Sequence, residues 1–366
     1  MVEVTTVFLT GFPGFLGSAL LGRLLDRYDD EVELACLVQS KYRDDAEDRA
    51  RSIAGDDWDE RIALYEGDIT EGDLGLDPDE YADLELDTVE VYHLAAVYDV
   101  GVSEAVGKRV NVDGTRHVLH FAENCPDLRR FQYVSTCYVS GRYDGLFTES
   151  MLEEAGPFHN HYESSKHEAE VLVREAMDEG LPATVYRPAI TVGDSETGET
   201  QKYDGPYYVL QLLLRQGDYA LTPAMLGSSG VEVNVVPRDF VVDAIDELSA
   251  MERSEGVTYQ LADPAPATAS KLLRLFADAA DTTPVPVPMT RGLAKGAFHR
   301  VPELRERVAV EPATLDYFTH PTRYTCANTV RDLRGTDVEC PPIETYAATL
   351  VEFMRANPDI DPDAMT

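Results

Sequence analysis

The stretch FLTGFPGFLGSALL, residues 8–21, limits what this chain can fold into more than any other. An apolar run ends in Gly11, Gly14 and Gly17 at even spacing, and a second apolar run with helical periodicity follows at once. A buried strand that turns through three glycines into a helix is the opening of a βαβ unit. One glycine permits the tight turn, the next lets backbone approach a pyrophosphate, and the third lets helix and strand pack closely. Amides at the helix start then face the diphosphate. Three glycines can also serve packing alone, but this placement between strand and helix favours a dinucleotide.

The chain continues in the same rhythm. Strands are expected at 4–10, 32–38, 61–68, 88–96, 129–136 and 182–190, with helical patterns at 15–28, 104–124 and 162–179. Such alternation predicts an α/β fold, a Rossmann-type doubly wound parallel sheet covered on both faces. From about residue 194 the rhythm breaks: 193–205 reads as a polar loop, 206–216 as a helix, and 282–289 (TTPVPVPM) as an extended linker. Residues 231–251 and 256–264 look like a return to the sheet. The expected division is a dinucleotide-binding domain of 1–193 plus 231–263, and a smaller, mostly helical substrate lobe of 194–230 plus 264–366.

Charge narrows the partners. Sixty-seven acidic residues face 31 basic ones, a net charge of −36 over 366 residues, and Lys41, Lys108, Lys166, Lys202, Lys271 and Lys295 are all the lysines. This surface repels nucleic acid and anionic membrane, and its acids are spread along the chain as in adaptation to a salt-rich, haloarchaeal-type cytoplasm. The five cysteines form no Cys-x-x-Cys pair, which argues for a reducing compartment and against a zinc site. No segment reaches the roughly 20 apolar residues of a membrane span. The expectation is a cytoplasmic protein acting on a small molecule, with no metal; oligomeric state is open, a homodimer being one outcome.

The end of the second strand specifies the cofactor. An acidic residue roughly 20 residues past the glycines would bind a ribose 2′-hydroxyl. Gln39, Ser40 and Lys41 stand there instead, with Arg43 close by, which favours a 2′-phosphate and hence NADP(H), with NAD(H) as the alternative. Further on, Tyr162 and Lys166 stand four residues apart at the head of a helix, stacked on one face. An ammonium there is expected to lower the phenol from its usual ~10 and make it a proton donor or acceptor. Ser135 and Thr136 both offer a hydroxyl at a strand's carboxyl end, where ligands bind in open parallel sheets.

These residues resemble the extended branch of the short-chain dehydrogenase/reductase superfamily. With VGDSETGETQKYDGPYY (192–208), they look like its fatty acyl-CoA reductase and thioester reductase group, the male sterility type. The resemblance implies that Gly11, Gly14 and Gly17, with the intervening Phe12, Pro13, Phe15 and Leu16, hold the pyrophosphate. It places Asp68 and Ile69 at the adenine, Ala95 and Ala96 along the dinucleotide groove, and Pro188 at the nicotinamide. Thr136 takes the family's Ser/Thr role beside Tyr162 as acid/base, with Lys166 reaching the ribose; Asn111 is structural. Gln39 departs from the arginine common in NADPH-dependent members.

The implied activity is reduction of an acyl thioester, or a carbonyl made from one, to aldehyde or alcohol. One rival is an NAD-dependent sugar-nucleotide epimerase or dehydratase, whose diphosphate would meet Arg291, His299, Arg300, Arg305 and Arg307. Another is a regulator that senses dinucleotide without turnover. His159 and His161 lack a third metal ligand at useful spacing, Cys137 reads as packing, and Tyr207 and Tyr208 as cleft or core.

Overall fold

The computed structural model describes residues 5–99, 101–225, 230–289, 317 and 320–360. The strands, in chain order, are β1 Thr5–Thr10, β2 Val32–Val38, β3 Ile62–Glu66, β4 Thr88–His93, β5 Arg130–Val134, β6 Gly145–Phe147, β7 Ala183–Pro188, β8 Ile190–Val192, β9 Tyr219–Met225, β10 Val235–Pro237, β11 Thr258–Leu261, β12 Thr283–Met289 and β13 Thr322–Tyr324. Seven of them form one sheet in the order β11-β7-β5-β4-β1-β2-β3, parallel at every pairing.

The expected apolar runs contain these strands because each is buried on both faces. Side chains alternate along a strand with period two. Val7 and Leu9 of β1 enter one core with Leu34, Cys36 and Val38 of β2, while Phe8 enters the other with Ala35 and Leu37. Helices close both sides. The first core is covered by α1 Phe15–Arg27, α2 Arg43–Ala54 and α8 Arg238–Ser249. The second is covered by α3 Pro78–Asp87, α5 Gly114–Asn124 and α6 His161–Glu179. A short α4 Glu104–Gly107 runs through a π-helical stretch into α5, so the expected helix at 104–124 is present. This is the doubly wound α/β fold.

A third core joins α7 Tyr207–Leu214, α9 Ala269–Ala279 and a C-terminal helix, Ile343–Ala356, around Tyr207, Phe276 and Tyr346. The latter is numbered α11, after α10 Ala327–Asp332. Two expectations need correction. Residues 282–289 are not a linker: β12 pairs in parallel with β9 from Thr283↔Tyr219 to Met289↔Met225. Of the two returns to the sheet, only β11 joins the large sheet, whereas β10 pairs with β8. The arginines and histidine at 291–307 lie outside the described residues. Among the described residues no helix is long and apolar enough to cross a membrane, and all five cysteines are free.

Candidate active site

Strand order reverses beside β1, which lies between β2 and β4, and in open α/β sheets such a point leaves a crevice at the carboxyl ends of the strands. A cleft of about 720 Å³ opens there, within the range of cofactor and substrate sites. Its floor is the glycine turn. Gly11 has φ +94°, and a Cβ on Gly17 would stand 2.4 Å from the Gly11 carbonyl oxygen, so only glycine lets α1 approach so closely. Gly14 is the N-cap residue of α1 and provides no side-chain cap. The first amides of the helix have no intrahelical acceptor, and Phe12, Pro13, Phe15 and Leu16 line the cleft with them.

Beneath the turn, His93 ties three elements together. Thr115 Oγ1 donates to the Asn111 carbonyl (2.6 Å), so it accepts from His93 Nε2 (3.0 Å). His93 Nδ1 then accepts from Thr10 Oγ1 (2.7 Å), which accepts in turn from the Ala95 amide (3.2 Å). Burial lowers this imidazole to about 3, so it stays neutral and the pattern holds. Ala95 and Ala96 thereby face the cleft beside Gly11. Asn111 is structural: its amide clasps both backbone groups of Val97 and donates to Ser165 Oγ of α6.

At the adenosine end expected from β2, the basic turn is mostly committed elsewhere. Gln39 Nε2 donates to Asp68 Oδ2 (2.7 Å), and Ser40 Oγ donates to Glu66 Oε2 (2.9 Å). Arg43 is tied to Glu47 and the Leu64 carbonyl. Gln39, Lys41, Asp68 and Ile69 line the cleft, and Ser40 and Arg43 do not. The Lys41 ammonium lies 4.5 Å from the Tyr42 ring centre. Arg109, which sequence reasoning passed over, lines the same cleft from the π-helical stretch before α5. Its one signal in the sequence is a cation two residues before Asn111.

Thr136, Tyr162 and Lys166 meet at the cleft, with Pro188 at the end of β7. The structure separates the two candidate hydroxyls. Ser135 Oγ donates to Glu170 Oε2 (2.6 Å), deep in a pair between Glu170 and Arg187 that is fully buried on both sides. Thr136 caps the short turn after β5, accepting from the Tyr138 amide, and hydrogen-bonds the Tyr162 phenol.

The electrostatics reverse one expectation. Burial, with Glu163 and Asp204 adding to it, pushes the Tyr162 phenol up to about 12 against the opposing Thr136 hydrogen bond. Burial also lowers Lys166 to about 7. Lys166 Nζ donates to the Val134 carbonyl (2.8 Å) and lies 4.5 Å from the Tyr133 ring centre, so its charge is weakened and partly spent before it can act on the phenol.

The remaining candidates separate by burial. The Cys137 thiol is fully buried, donates to the Arg187 carbonyl and is held protonated by desolvation, as a packing cysteine would be. Tyr207 is core, its hydroxyl accepting from the Gly193 amide, while Tyr208 lines the cleft. His159 contacts His320 (3.0 Å) and His161 opens α6. Beyond Thr136, Tyr162 and Lys166 the wall turns apolar with Ile190, Val209, Val233 and Leu272, and Lys202 lies among them, 3.9 Å from Asp204. Half of the chain's six lysines, Lys41, Lys166 and Lys202, therefore line this one cleft.

Known proteins resemble this chain in sequence and in fold. Residues 9–245 match the model of a family described as male sterility protein, an NAD-binding family. The chain is 28% identical over 376 residues to a linear gramicidin synthase of Brevibacillus parabrevis, covering 96% of this chain and 7% of that protein. It is 28% identical over 284 residues to the glycine betaine reductase ATRR of Emericella nidulans, covering 73% and 21%. This chain thus spans only a small part of such relatives. Among solved structures, the terminal R domain of the myxalamid PKS-NRPS biosynthetic pathway superposes with a TM-score of 0.82 at 26% identity, covering 97% of this chain and 91% of that one. With the glycine turn, the cleft and a match over most of its length, the chain belongs to the male sterility protein family, and it is an NAD(P)-dependent oxidoreductase of the extended short-chain dehydrogenase/reductase type.

Proposed function

We propose that this protein uses NADPH to reduce an acyl thioester, or a carbonyl made from one, at Thr136, Tyr162 and Lys166. The observation that carries the reading is the convergence of these three side chains, from the end of β5 and the first turns of α6, on the cleft that the glycine turn opens. The nicotinamide supplies a hydride when bound, and the other tasks fall to the chain. Tyr162, protonated at neutral pH, donates its proton to the carbonyl oxygen as hydride reaches the carbon. Thr136 hydrogen-bonds the same developing oxyanion. With a thioester, the resulting hemithioacetal breaks its C–S bond to leave aldehyde and thiol. Lys166 orients the cofactor ribose.

Lys41 and Arg109 support the phosphorylated cofactor: they bring cations to the cleft, and the nearby carboxylate of Asp68 is already bonded to Gln39. The apolar wall of Ile190, Val209, Val233 and Leu272 suits an acyl chain. A relative named as a glycine betaine reductase supports reductive chemistry. The test is a panel of acyl-CoAs, aldehydes and nucleotide sugars with NADPH and with NADH at high potassium chloride, followed by absorbance of the reduced nicotinamide. Net NADPH consumption with thioesters or aldehydes is expected. Conversion of a nucleotide sugar with no net consumption would replace this reading by the epimerase.

A further inference from the structure

The sequence HNHYE, residues 159–163, is surrounded by contacts that the reaction itself does not use. Asn160 is the N-cap residue of α6, and its Oδ1 accepts from the Glu163 amide (2.9 Å). Its other side-chain atom, Nδ2, donates to the Tyr317 hydroxyl (3.0 Å). That hydroxyl donates to Glu163 Oε1 (2.9 Å), and Glu163 Oε2 accepts from the His159 amide (2.8 Å). Asn160, Tyr317 and Glu163 therefore form a closed hydrogen-bonded ring that brackets Tyr162, with Tyr317 contributed from 154 residues along the chain.

The ring's far side touches the second reactive hydroxyl. Tyr317 packs edge-on against Tyr138, with centroids 4.9 Å apart and an interplanar angle of 89°. The Tyr138 amide donates to Thr136 Oγ1 (3.2 Å). Both tyrosine rings line the cleft. A second chain of bonds holds this wall to the loop before α6. Ser140 Oγ donates to the Gly141 carbonyl and so accepts from Tyr324, Tyr324 accepts from His320 Nε2, and His320 Nδ1 accepts from His159 Nε2. Each acceptor has one donor, so the loop before α6 and the turn after Thr136 are fixed to each other.

We propose that Tyr317 is a positioning residue for the reduction: its hydroxyl closes the ring with Asn160 and Glu163 and so fixes the direction of the Tyr162 phenol relative to Thr136. This rests on the reading of Tyr162 as proton donor. A reacting group held by one helical turn tolerates little error, since small displacements of aligned groups cost large factors in rate.

Tyr317→Phe is the direct test in the full chain, because the ring stays against Tyr138 and only the hydroxyl is lost. With whichever aldehyde or acyl-CoA of the panel is turned over, kcat is expected to fall by about tenfold or more. The KM for NADPH should stay as in the parent protein. Added to Tyr162→Phe, the change should cause no further loss, because Tyr317 acts only through the phenol.

Parent-level kcat in Tyr317→Phe, or losses that multiply in the double variant, would overturn the proposal. If melting shows that Tyr317→Phe does not fold, Asn160→Ser decides by the same criteria, since serine keeps a capping oxygen and removes the amide donor. Full turnover in Tyr162→Phe alone would instead overturn the proton-donor reading, and this proposal with it.

Discussion

Lys166 is a lysine only 3% exposed, and the role proposed for it and its contribution to stability have opposite signs. Its folded-state value of about 7 lies below the ordinary 10.5. Between those limits the unfolded chain holds a proton that the folded protein does not, so stability rises with pH across that window; below it both states are charged and the burial penalty is fully present. Lys166→Met should therefore raise the melting temperature of the cofactor-free protein at neutral pH and, on the proposed reading, abolish turnover when cofactor is supplied. A lower melting temperature would show that the ammonium stabilises the site. Tyr162→Phe should reduce kcat by roughly 10²–10⁴-fold, the usual contribution of a general acid, with little change in NADPH affinity by fluorescence titration. The direction of the phenol's shift was not legible in the sequence. Four-residue spacing tells that Tyr162 and Lys166 share a helix face, but not that Val134 and Tyr133 engage the ammonium first.

At the scale of elements, the strands were readable because burial on two faces leaves continuous apolar runs, as Val7, Phe8 and Leu9 illustrate by entering alternate cores. β12 was not. Pro284, Pro286 and Pro288 look like a linker, yet their alternation puts every missing N–H on the side away from β9 and leaves Thr283, Val285 and Val287 to pair. Its neighbours in the fold, not its composition, make it a strand. The same holds for the buried Glu170–Arg187 pair, which clamps α6 to β7 and takes up the Ser135 hydroxyl as a donor. Glu170→Gln leaves a buried guanidinium without its counter-charge and should cost about 3–5 kcal/mol, read as a lower urea midpoint. Gly17→Ala drives a methyl into the Gly11 carbonyl and should displace α1 from the turn, weakening dinucleotide binding before it lowers kcat with saturating cofactor.

On the scale of the whole molecule, a net charge of −36 means self-repulsion that dissolved ions relieve. The melting temperature should climb from low to molar potassium chloride, and a flat or falling curve would remove the argument for a salt-rich home. The concentration of Lys41, Lys166 and Lys202 in one cleft carries a kinetic corollary. A dinucleotide phosphate approaching from afar meets a hostile field and finds attraction only in the last few ångströms. Encounter between oppositely charged partners ordinarily slows as electrolyte is added, whereas this protein should capture its reductant faster in brine than in dilute buffer, a reversal that stopped-flow measurement would see directly.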